Sequence, residues 1–261
     1  MTSSLQLNQS LRKGLNILQY IAAHNKRATM TDLARNLDMD KGTTRRFLAT
    51  LLDLGYISVS PAKTFSVSIK VLDLGYSVVC SLEWREVARV LLERLHAEVG
   101  YTISMSILDG TDVLYLIRME ADDFTLTDIR TGSRRAAYGS SMGKMLLALE
   151  PEERRRSLLG SIQIKNMTPY TVESREDLWQ QLAEARLKGY AVSDREASAY
   201  GRALAVPVMP HGHPLAAISI AVPADYFSMK DMVEKMLPPL RKCAEDISLA
   251  LEHMEFDPRK V

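Results

Sequence analysis

Hydrophobic positions in the first seventy residues recur at helical spacing in three segments. The segment SLRKGLNILQYIAAH repeats its leucines three or four residues apart, which predicts an amphipathic helix with Ser10 as its N-cap. Thr31 precedes a second, short helix in DLARNL, and after the break DMD a third helix runs from about Lys41 to Leu54. Two helices joined by a turn of three or four residues are typical of a helix-turn-helix.

The third helix has one apolar side and one side that carries basic and hydroxyl groups. Its apolar stripe consists of Phe47, Leu48, Leu51 and Leu52. Basic and hydroxyl residues cluster in its N-terminal half, where a recognition helix meets phosphates and base edges. A charged, solvated helix face is the alternative. The residues predicted to contact DNA in this helix-turn-helix are Thr31, Lys41, Gly42, Thr43, Thr44, Arg45 and Arg46.

Two short runs rich in β-branched and aromatic residues follow the third helix. Gly55 suits the position just after a helix C-terminus, and YISVS and TFSVSI are separated by the turn PAK. We interpret these runs as a hairpin, the wing of a winged helix. Lys63 at the tip could contact a phosphate, although an exposed lysine is often merely solvated.

The remaining sequence alternates helical and strand-like patterns, which predicts an α+β domain with a mostly antiparallel sheet. Residues 69 to 82 have near-helical apolar spacing and are predicted to form a linker helix. Asp109-Gly110 is a hairpin signal between two strand-like runs. The predicted strands are TISMSILDG, DVLYLIRM, FTLTDI, YAVSD, ALAVPVM and LAAISIAV, and the predicted helices are 84 to 99, 174 to 187 and 228 to 255.

Charge is distributed unevenly along the 261 residues. Residues 1 to 70 contain 10 Lys and Arg against 4 Asp and Glu, a formal charge of +6. The remaining residues contain 23 against 28, a formal charge of −5. A basic first part joined to a mildly acidic second part indicates that the first part meets a polyanion, which supports the DNA-binding interpretation.

Composition and cysteine content narrow the class of protein further. The chain is 46% hydrophobic and 25% charged and has no apolar run long enough to cross a bilayer, so we expect no membrane partner. The N-terminus lacks the apolar core of a secretory signal, which favours the cytoplasm. Cys80 and Cys243 cannot form a disulfide framework, and we expect both to lie reduced in helices.

The stretch GSSMGK at 139 to 144 fits GxSxG, the spacing of a hydrolase nucleophile on a strand-turn-helix. The preceding GSRRAAY is a poor strand, so we retain a serine hydrolase using Ser141 only as an alternative. A helix that begins at Ser140-Ser141 instead offers free N–H groups and a positive dipole end to a small carboxylate. The HGH at 211 to 213 is better explained as an exposed turn than as a metal site, and no cofactor is expected.

Several segments resemble IclR-type bacterial transcriptional regulators over nearly the whole chain. In the first part these are SLRKGLNILQYIA, LARNLDMDKGTTRRFLATLLDLGYI and IKVLDLGYSVVCSL, and later YGSSMGKMLLA, DREASAYGRALAVPV and AAISIAVP. RRFLATL, LGYI and LDGTDVLYLIR are most similar to the branch that controls aromatic-acid and β-ketoadipate catabolism. The resemblance implies a winged-helix DNA-binding domain at 1–68, a linker helix at 69–83 and a GAF-like effector-binding domain at 84–261. It also implies a dimer or a dimer of dimers.

The resemblance also implies a set of residues that bind the effector, a small organic acid that could be aromatic. Carried over position by position, the set is Ser141, Met142, Asp194, Ala203, Ser219 and Ala221, with Phe124 and Arg135 as wall candidates. Arg118, which follows the strand-like run VLYLI, could pair with a carboxylate if it faces inward. The chain departs from the family at Arg135-Ala136 and at Tyr200-Gly201, so we expect a more polar pocket. An interaction module without effector control is a third hypothesis.

Overall fold

The computed structural model describes residues 7–24, 28–75, 83–121, 129–254 and 256–257. The chain separates into two compact units, Met1–Leu82 and Glu83–Val261. This division falls at the end of the predicted linker, while the finer boundaries at 68 and 83 stay a prediction. Residues 71 to 75 are helical, residues 69 and 70 form a turn, and residues 76 to 82, including Cys80, lie outside the described residues.

Ahead of the helical residues 71 to 75, the described part of the N-terminal unit combines three helices with a small antiparallel sheet. The helices are α1 (Gln9–Ala23), α2 (Met30–Asn36) and α3 (Lys41–Asp53). The strands are β1 (Ala28–Thr29), β2 (Ile57–Val59) and β3 (Thr64–Val67), in the order β1-β3-β2. The three helices and the hairpin agree with the sequence prediction, whereas β1 was not predicted, since two residues are too few for a periodic signal.

Two helix starts differ from the prediction. Asn8, not Ser10, caps α1, since its side chain accepts a hydrogen bond of 3.0 Å from the N–H of Leu11. Helix α2 begins at Met30, before the predicted segment DLARNL, and is capped by Thr29, which forms a reciprocal capping box with Asp32. In both cases several cap-forming residues lie close together, and the apolar spacing does not discriminate among them.

The end of α3 agrees with the prediction in detail. Gly55 has a φ of 76°, the left-handed conformation expected just after a helix. Its N–H donates to the carbonyl of Leu52, and the N–H of Tyr56 donates to Leu51, so the last carbonyls are satisfied. This turn directs the chain into β2 and the wing.

The C-terminal unit is built on a six-stranded antiparallel sheet in the order β6-β5-β4-β9-β8-β7. The strands are β4 (Thr102–Asp109), β5 (Asp112–Met119), β6 (Arg134–Ala136), β7 (Ala191–Asp194), β8 (Gly201–Val208) and β9 (Ala216–Pro223). Five of the strands were predicted. The short β6 was not, and most of the predicted strand FTLTDI falls on residues 122–128, outside the described part of the chain.

Helices cover both faces of this sheet. They are α4 (Glu83–Val99), α5 (Ser141–Leu149), α6 (Glu152–Ser161), α7 (Arg175–Lys188) and α8 (Met229–His253). Helices α5 and α7 pack together against the face that carries Tyr115, Ala205 and Ala217. The alternate residues Ile218 and Ile220 are fully buried on the other face, which α4 and α8 cover. Only α6 among these helices was not predicted.

Candidate functional site

The exposed side of α3 carries the basic residues that the sequence predicted. Lys41, Arg45 and Arg46 are exposed, and Thr43 is half-buried beside them. Asp40 caps the helix by accepting a hydrogen bond of 2.7 Å from the N–H of Thr43, and this bond holds the pKa of the Asp40 carboxyl below its usual value. The N-terminal half of α3 therefore presents cations and free helix-end N–H groups to solvent, as a phosphate-binding surface requires.

Thr44 is a correction to the predicted DNA-contacting set. It is fully buried, and its hydroxyl donates to the carbonyl of Asp40 at 2.9 Å. Thr44 lies four residues before Leu48 and so shares its inward-facing side, a relation that helical periodicity could have revealed. Thr31 is exposed on α2, and Lys63 is exposed at the tip of the wing with a φ of 58°.

A cavity lies between the start of α5 and the face of the sheet beneath it. Its cavity volume is about 80 Å³, and it opens to solvent. The lining is rich in hydroxyl groups and contains two arginines, of which Arg118 is the more deeply buried and Arg202 is paired with Asp194. The lining residues are Ser104, Tyr115, Arg118, Ile129, Gly139, Ser140, Ser141, Met142, Ser193, Ala197, Ser198, Gly201, Arg202, Ala203, Ser219 and Ala221.

A row of polar side chains crosses the sheet beneath this cavity. Arg118 on β5 pairs with Ser104 on β4, which pairs with Ser219 on β9. The side chain of Arg118 is only 6% exposed, and its Nη1 donates to Ser104 Oγ at 3.2 Å. Glu120 orients the guanidinium through Nε at 3.1 Å and also accepts from Arg130 Nη1 at 2.7 Å. A buried guanidinium beside two hydroxyls is a site suited to a carboxylate.

A β-bulge in β5 determines which side chains reach the cavity. Met105 pairs with Ile117 but Ser106 pairs with Tyr115, so Leu116 is an extra residue without a partner on β4. In a regular strand Tyr115 and Arg118, three residues apart, would face opposite sides of the sheet. The extra residue brings both onto the cavity side, where burial raises the pKa of the Tyr115 hydroxyl.

The start of α5 forms the wall opposite this row. Ser140 is the N-cap and accepts a hydrogen bond of 3.3 Å from the N–H of Gly143. The N–H groups of Ser141 and Met142 belong to the first turn, which has no intrahelical acceptors. Gly143 is required by packing, since a Cβ there would lie 2.3 Å from the carbonyl oxygen of Ala137. The second glycine of GSSMGK thus has a structural role that needs no chemistry.

Ser141 lacks the surroundings of a hydrolase nucleophile. The residues just before it form a short 3-10 turn, Ala137–Gly139, rather than a strand that runs into the helix. Its side chain is buried, and the described residues that line the cavity include no histidine. A nucleophile elbow needs both features, so the GxSxG spacing here is coincidental.

Asp194 does not reach the cavity. It forms an ion pair of 2.7 Å with Arg202, its direct partner on β8, whereas the adjacent residues Ser193 and Ala203 line the cavity. Because side chains alternate along a strand, Ser193 faces the cavity and Asp194 faces away. Ser193 donates to the carbonyl of Gly139 at 3.1 Å and so ties β7 to the start of α5.

Arg135 is also placed outside the predicted pocket. It lies on β6, the edge strand of the sheet, and its side chain is exposed. An edge strand has solvent on one side, so a long cationic side chain there extends into water. Phe124, the other wall candidate, lies outside the described residues. The predicted residues that the structure brings together are Arg118, Ser141, Met142, Ala203, Ser219 and Ala221.

A buried ion pair fixes one wall of the cavity to α5. Lys144 Nζ lies 2.6 Å from Glu196 Oε1, and the two side chains are 3% and 8% exposed. Burial lowers the pKa of the Lys144 ammonium and raises the pKa of the Glu196 carboxyl. Ala197 and Ser198, which directly follow Glu196, line the cavity. The sequence showed no signal for this pair, because its partners are 52 residues apart.

Comparison with known protein families covers most of the chain. Residues 76–249 match the model described as bacterial transcriptional regulator IclR C-terminal, and residues 10–61 match the IclR helix-turn-helix domain. The chain belongs to the IclR family of bacterial transcriptional regulators. It is therefore a DNA-binding regulator, with an N-terminal helix-turn-helix domain and a C-terminal effector-binding domain. The serine hydrolase alternative finds no support in these comparisons.

Individual relatives agree with this assignment. The Pca regulon regulatory protein of Pseudomonas putida is 29% identical over 91% of this chain and 82% of its own length. XynR of Escherichia coli is 31% identical over 82% of this chain and 85% of its own length. No helix in the described part of this chain is long and apolar enough to span a membrane.

Solved structures show the same fold. The Thermotoga maritima IclR structure superposes with a TM-score of 0.69 at 25% identity, covering 93% of this chain and 98% of that chain. An IclR homologue from Microbacterium hydrocarbonoxydans, solved in complex with 4-hydroxybenzoate, gives a TM-score of 0.79 at 24% identity, covering 94% of this chain and 100% of that chain.

Proposed function

We propose that the C-terminal cavity binds a small organic carboxylate, and that its occupancy changes the affinity of the N-terminal domain for an operator. The observation that carries this proposal is the buried Arg118 in a row with Ser104 and Ser219. A guanidinium at 6% exposure needs anionic or polar partners, and only part of its donor fork is used by Glu120 and Ser104. A homologue solved in complex with 4-hydroxybenzoate supports a small carboxylate as the class of ligand.

Within this cavity, Arg118 and the hydroxyls of Ser104 and Ser219 would bind the carboxylate. The first-turn N–H groups at Ser141 and Met142 would bind the opposite, polar end of the molecule or a second acidic group. The hydroxyl-rich lining favours a hydroxylated or aromatic hydroxy acid over a plain alkyl acid, since buried hydroxyls need partners.

Calorimetric titration tests the carboxylate assignment. The panel is benzoate, 4-hydroxybenzoate, protocatechuate and adipate, each with its carboxamide as an uncharged match. Arg118→Leu should weaken binding of the acids by about thirtyfold or more, since removing a buried charge-assisted bond costs about 2 kcal/mol or more. Arg130→Gln is the matched control, because Arg130 also contacts Glu120 but is exposed and outside the cavity lining.

Two results would count against the assignment. Equal affinity for an acid and its carboxamide would show that no cation in the cavity binds the negative charge of the acid. Failure of every acid to bind would instead favour an interaction module without effector control.

On the N-terminal domain, Lys41, Arg45 and Arg46 would contact the operator, together with Lys63 on the wing. The operator can be obtained by selection from a pool of random duplexes. Replacing Arg45 and Arg46 by alanine should weaken binding and reduce the slope of log affinity against log salt by about 2. Replacing Arg154 and Arg156, two exposed arginines of the C-terminal unit, by alanine is the charge-matched control. An unchanged salt slope would reject α3 as the recognition helix.

As a transcriptional regulator the protein would act in the cytoplasm, as a dimer or a dimer of dimers. A two-fold operator read by one helix from each subunit requires at least a dimer. Sedimentation equilibrium of the full chain measures this directly. A monomer at micromolar concentration that still binds the selected operator as a single copy would contradict the proposal.

A further inference from the structure

The β5 bulge that presents Arg118 to the cavity is held by a residue from the opposite face of the sheet. Arg85, in the first turn of α4, donates through Nε to the carbonyl of Leu116 at 2.9 Å. Leu116 is the extra residue of the bulge and has no partner on β4. Its carbonyl thus accepts a hydrogen bond from a side chain, and the side chain of Arg85 is only 20% exposed.

The bulge matters because it sets the direction of two cavity side chains. If Leu116 were absorbed into regular pairing, a shift of one residue would turn either Tyr115 or Arg118 to the opposite face. The observed register keeps both in the cavity. The main chain of Tyr115 is also fixed on the side of β5 away from β4, since its N–H donates to the carbonyl of Ser133 and its carbonyl accepts from the N–H of Gly132. The contact with Arg85 is therefore the one support of the bulge that comes from a helix, among the hydrogen bonds of the described residues.

Arg85 also occupies a special position along the chain. It lies two residues after Glu83, where the C-terminal unit begins, and residues 76–82 join it to the N-terminal unit. The neighbouring Trp84 is 1% exposed, so the first turn of α4 is anchored in the core. A movement of the bulge upon ligand binding would therefore be transmitted to the point where the chain enters the effector domain.

We infer that Arg85 is a positioning residue that couples occupancy of the carboxylate site to the start of α4, through its hydrogen bond to the bulge at Leu116. This inference rests on the proposed function. A carboxylate bound by Arg118 displaces β5 two residues from Leu116. Through its hydrogen bond to Leu116, Arg85 moves with β5 and shifts the start of α4, which follows the chain segment leading to the DNA-binding domain. Arg85 binds a main-chain carbonyl and not the ligand, so the same hydrogen bond can act whichever acid is bound.

The experiment compares Arg85→Gln, Arg85→Lys and Arg89→Gln with the wild-type full chain. Arg89 is the matched control, since it lies one turn later on α4, binds the same Glu86 carboxylate at 2.7 Å and is 41% exposed. Arg85→Lys retains a donor and a positive charge and should partly restore the wild-type behaviour. Three quantities are measured for each protein.

The first measurement needs no ligand. Hydrogen exchange of peptides covering 112–119 should be faster in Arg85→Gln than in wild type, and unchanged in Arg89→Gln. The second is the affinity for 4-hydroxybenzoate and adipate against their carboxamides. Arg85→Gln should lose roughly tenfold in affinity for the acids, the effect of one net hydrogen bond, and less than about twofold for the amides.

The third measurement separates coupling from affinity. Operator binding is titrated with the acid at saturation, where a weaker site is filled again. Arg85→Gln should then show an acid response close to onefold, whereas Arg89→Gln should respond as wild type does. Wild-type exchange and a full response at saturation in Arg85→Gln would overturn the inference. If neither acid binds the wild-type protein, the effector proposal fails, and the exchange of β5 alone decides whether Arg85 holds the bulge.

Discussion

Replacing Lys144 by methionine should destabilise the C-terminal domain severely, although it removes only one buried charge. The pair with Glu196 is 2.6 Å long and its side chains are 3% and 8% exposed. Loss of the ammonium leaves Glu196 buried without a counter-ion, and its Oε2 already lacks a hydrogen-bond partner among the described residues. Breaking such a buried pair costs about 3–5 kcal/mol, a large part of the roughly 5–15 kcal/mol that stabilises a domain.

Removing both partners should cost much less. In Lys144→Met/Glu196→Met no charge is buried, and replacing a buried pair by apolar residues of similar volume is often neutral or stabilising. The double variant should therefore be more stable than either single variant. Lys188→Met is the control, because the Lys188–Glu184 pair is 49% and 67% exposed and should contribute only a small fraction of the effect.

Urea unfolding followed by tryptophan fluorescence measures these changes. Trp84 and Trp179 are the only tryptophans of the chain and both lie in the C-terminal unit, so the signal reports that domain. A single variant that unfolds at nearly the wild-type urea concentration would refute the reasoning. A double variant less stable than both single variants would refute it equally.

Three further predictions concern other features of the chain. Gly143→Ala should destabilise the start of α5, because its Cβ would lie 2.3 Å from the Ala137 carbonyl oxygen. Gly160→Ala should stabilise α6, because the space around Gly160 is open and alanine favours a helix. The thermal unfolding midpoints of the two variants and the wild type test both expectations. The pKa of the Asp40 carboxyl is lowered in the folded protein, so the cap contributes its full stability above the ordinary pKa of 3.8 and loses it as the pH falls through the lower pKa of the folded state. Asp40→Asn should therefore reduce the loss of stability at acid pH, which circular dichroism measures. Burial raises the pKa of Cys243 to about 12, so in a Cys80→Ser background a thiol reagent at pH 8 should react only after denaturant is added, and rapid native labelling would contradict this.

The elements of the fold follow from the sequence wherever periodicity is strong. The hairpin at Asp109-Gly110, the helix after Ser174 and the turn at Gly55 are set by local chemistry, and each appears as predicted. The cap of α1 was placed at Ser10 rather than Asn8, and α2 begins earlier than predicted, because neighbouring residues compete for the cap position. The short strand β6 forms because it pairs with β5, and the local sequence pattern does not predict that pairing.

The cavity was only partly predictable, for reasons that differ between residues. Ser219 and Ala203, which were carried over from the family resemblance, both line the cavity, and both lie on long strands with regular alternation. Asp194 was carried over in the same way, but it lies one position from Ser193, the residue of this four-residue strand that lines the cavity. Arg118 could be named but not oriented, since its direction depends on a bulge whose extra residue is identified only by pairing with β4.

The measurement that tests the central claim most directly is operator affinity, by fluorescence anisotropy, with and without a bound acid. For the wild type, saturating acid should change operator affinity by about 5- to 150-fold, the usual range of allosteric coupling. Arg118→Leu should bind the operator as tightly as the acid-free wild type but show no response to the acid. An acid that binds the cavity and leaves operator affinity unchanged, or a response that survives in Arg118→Leu, would contradict the account.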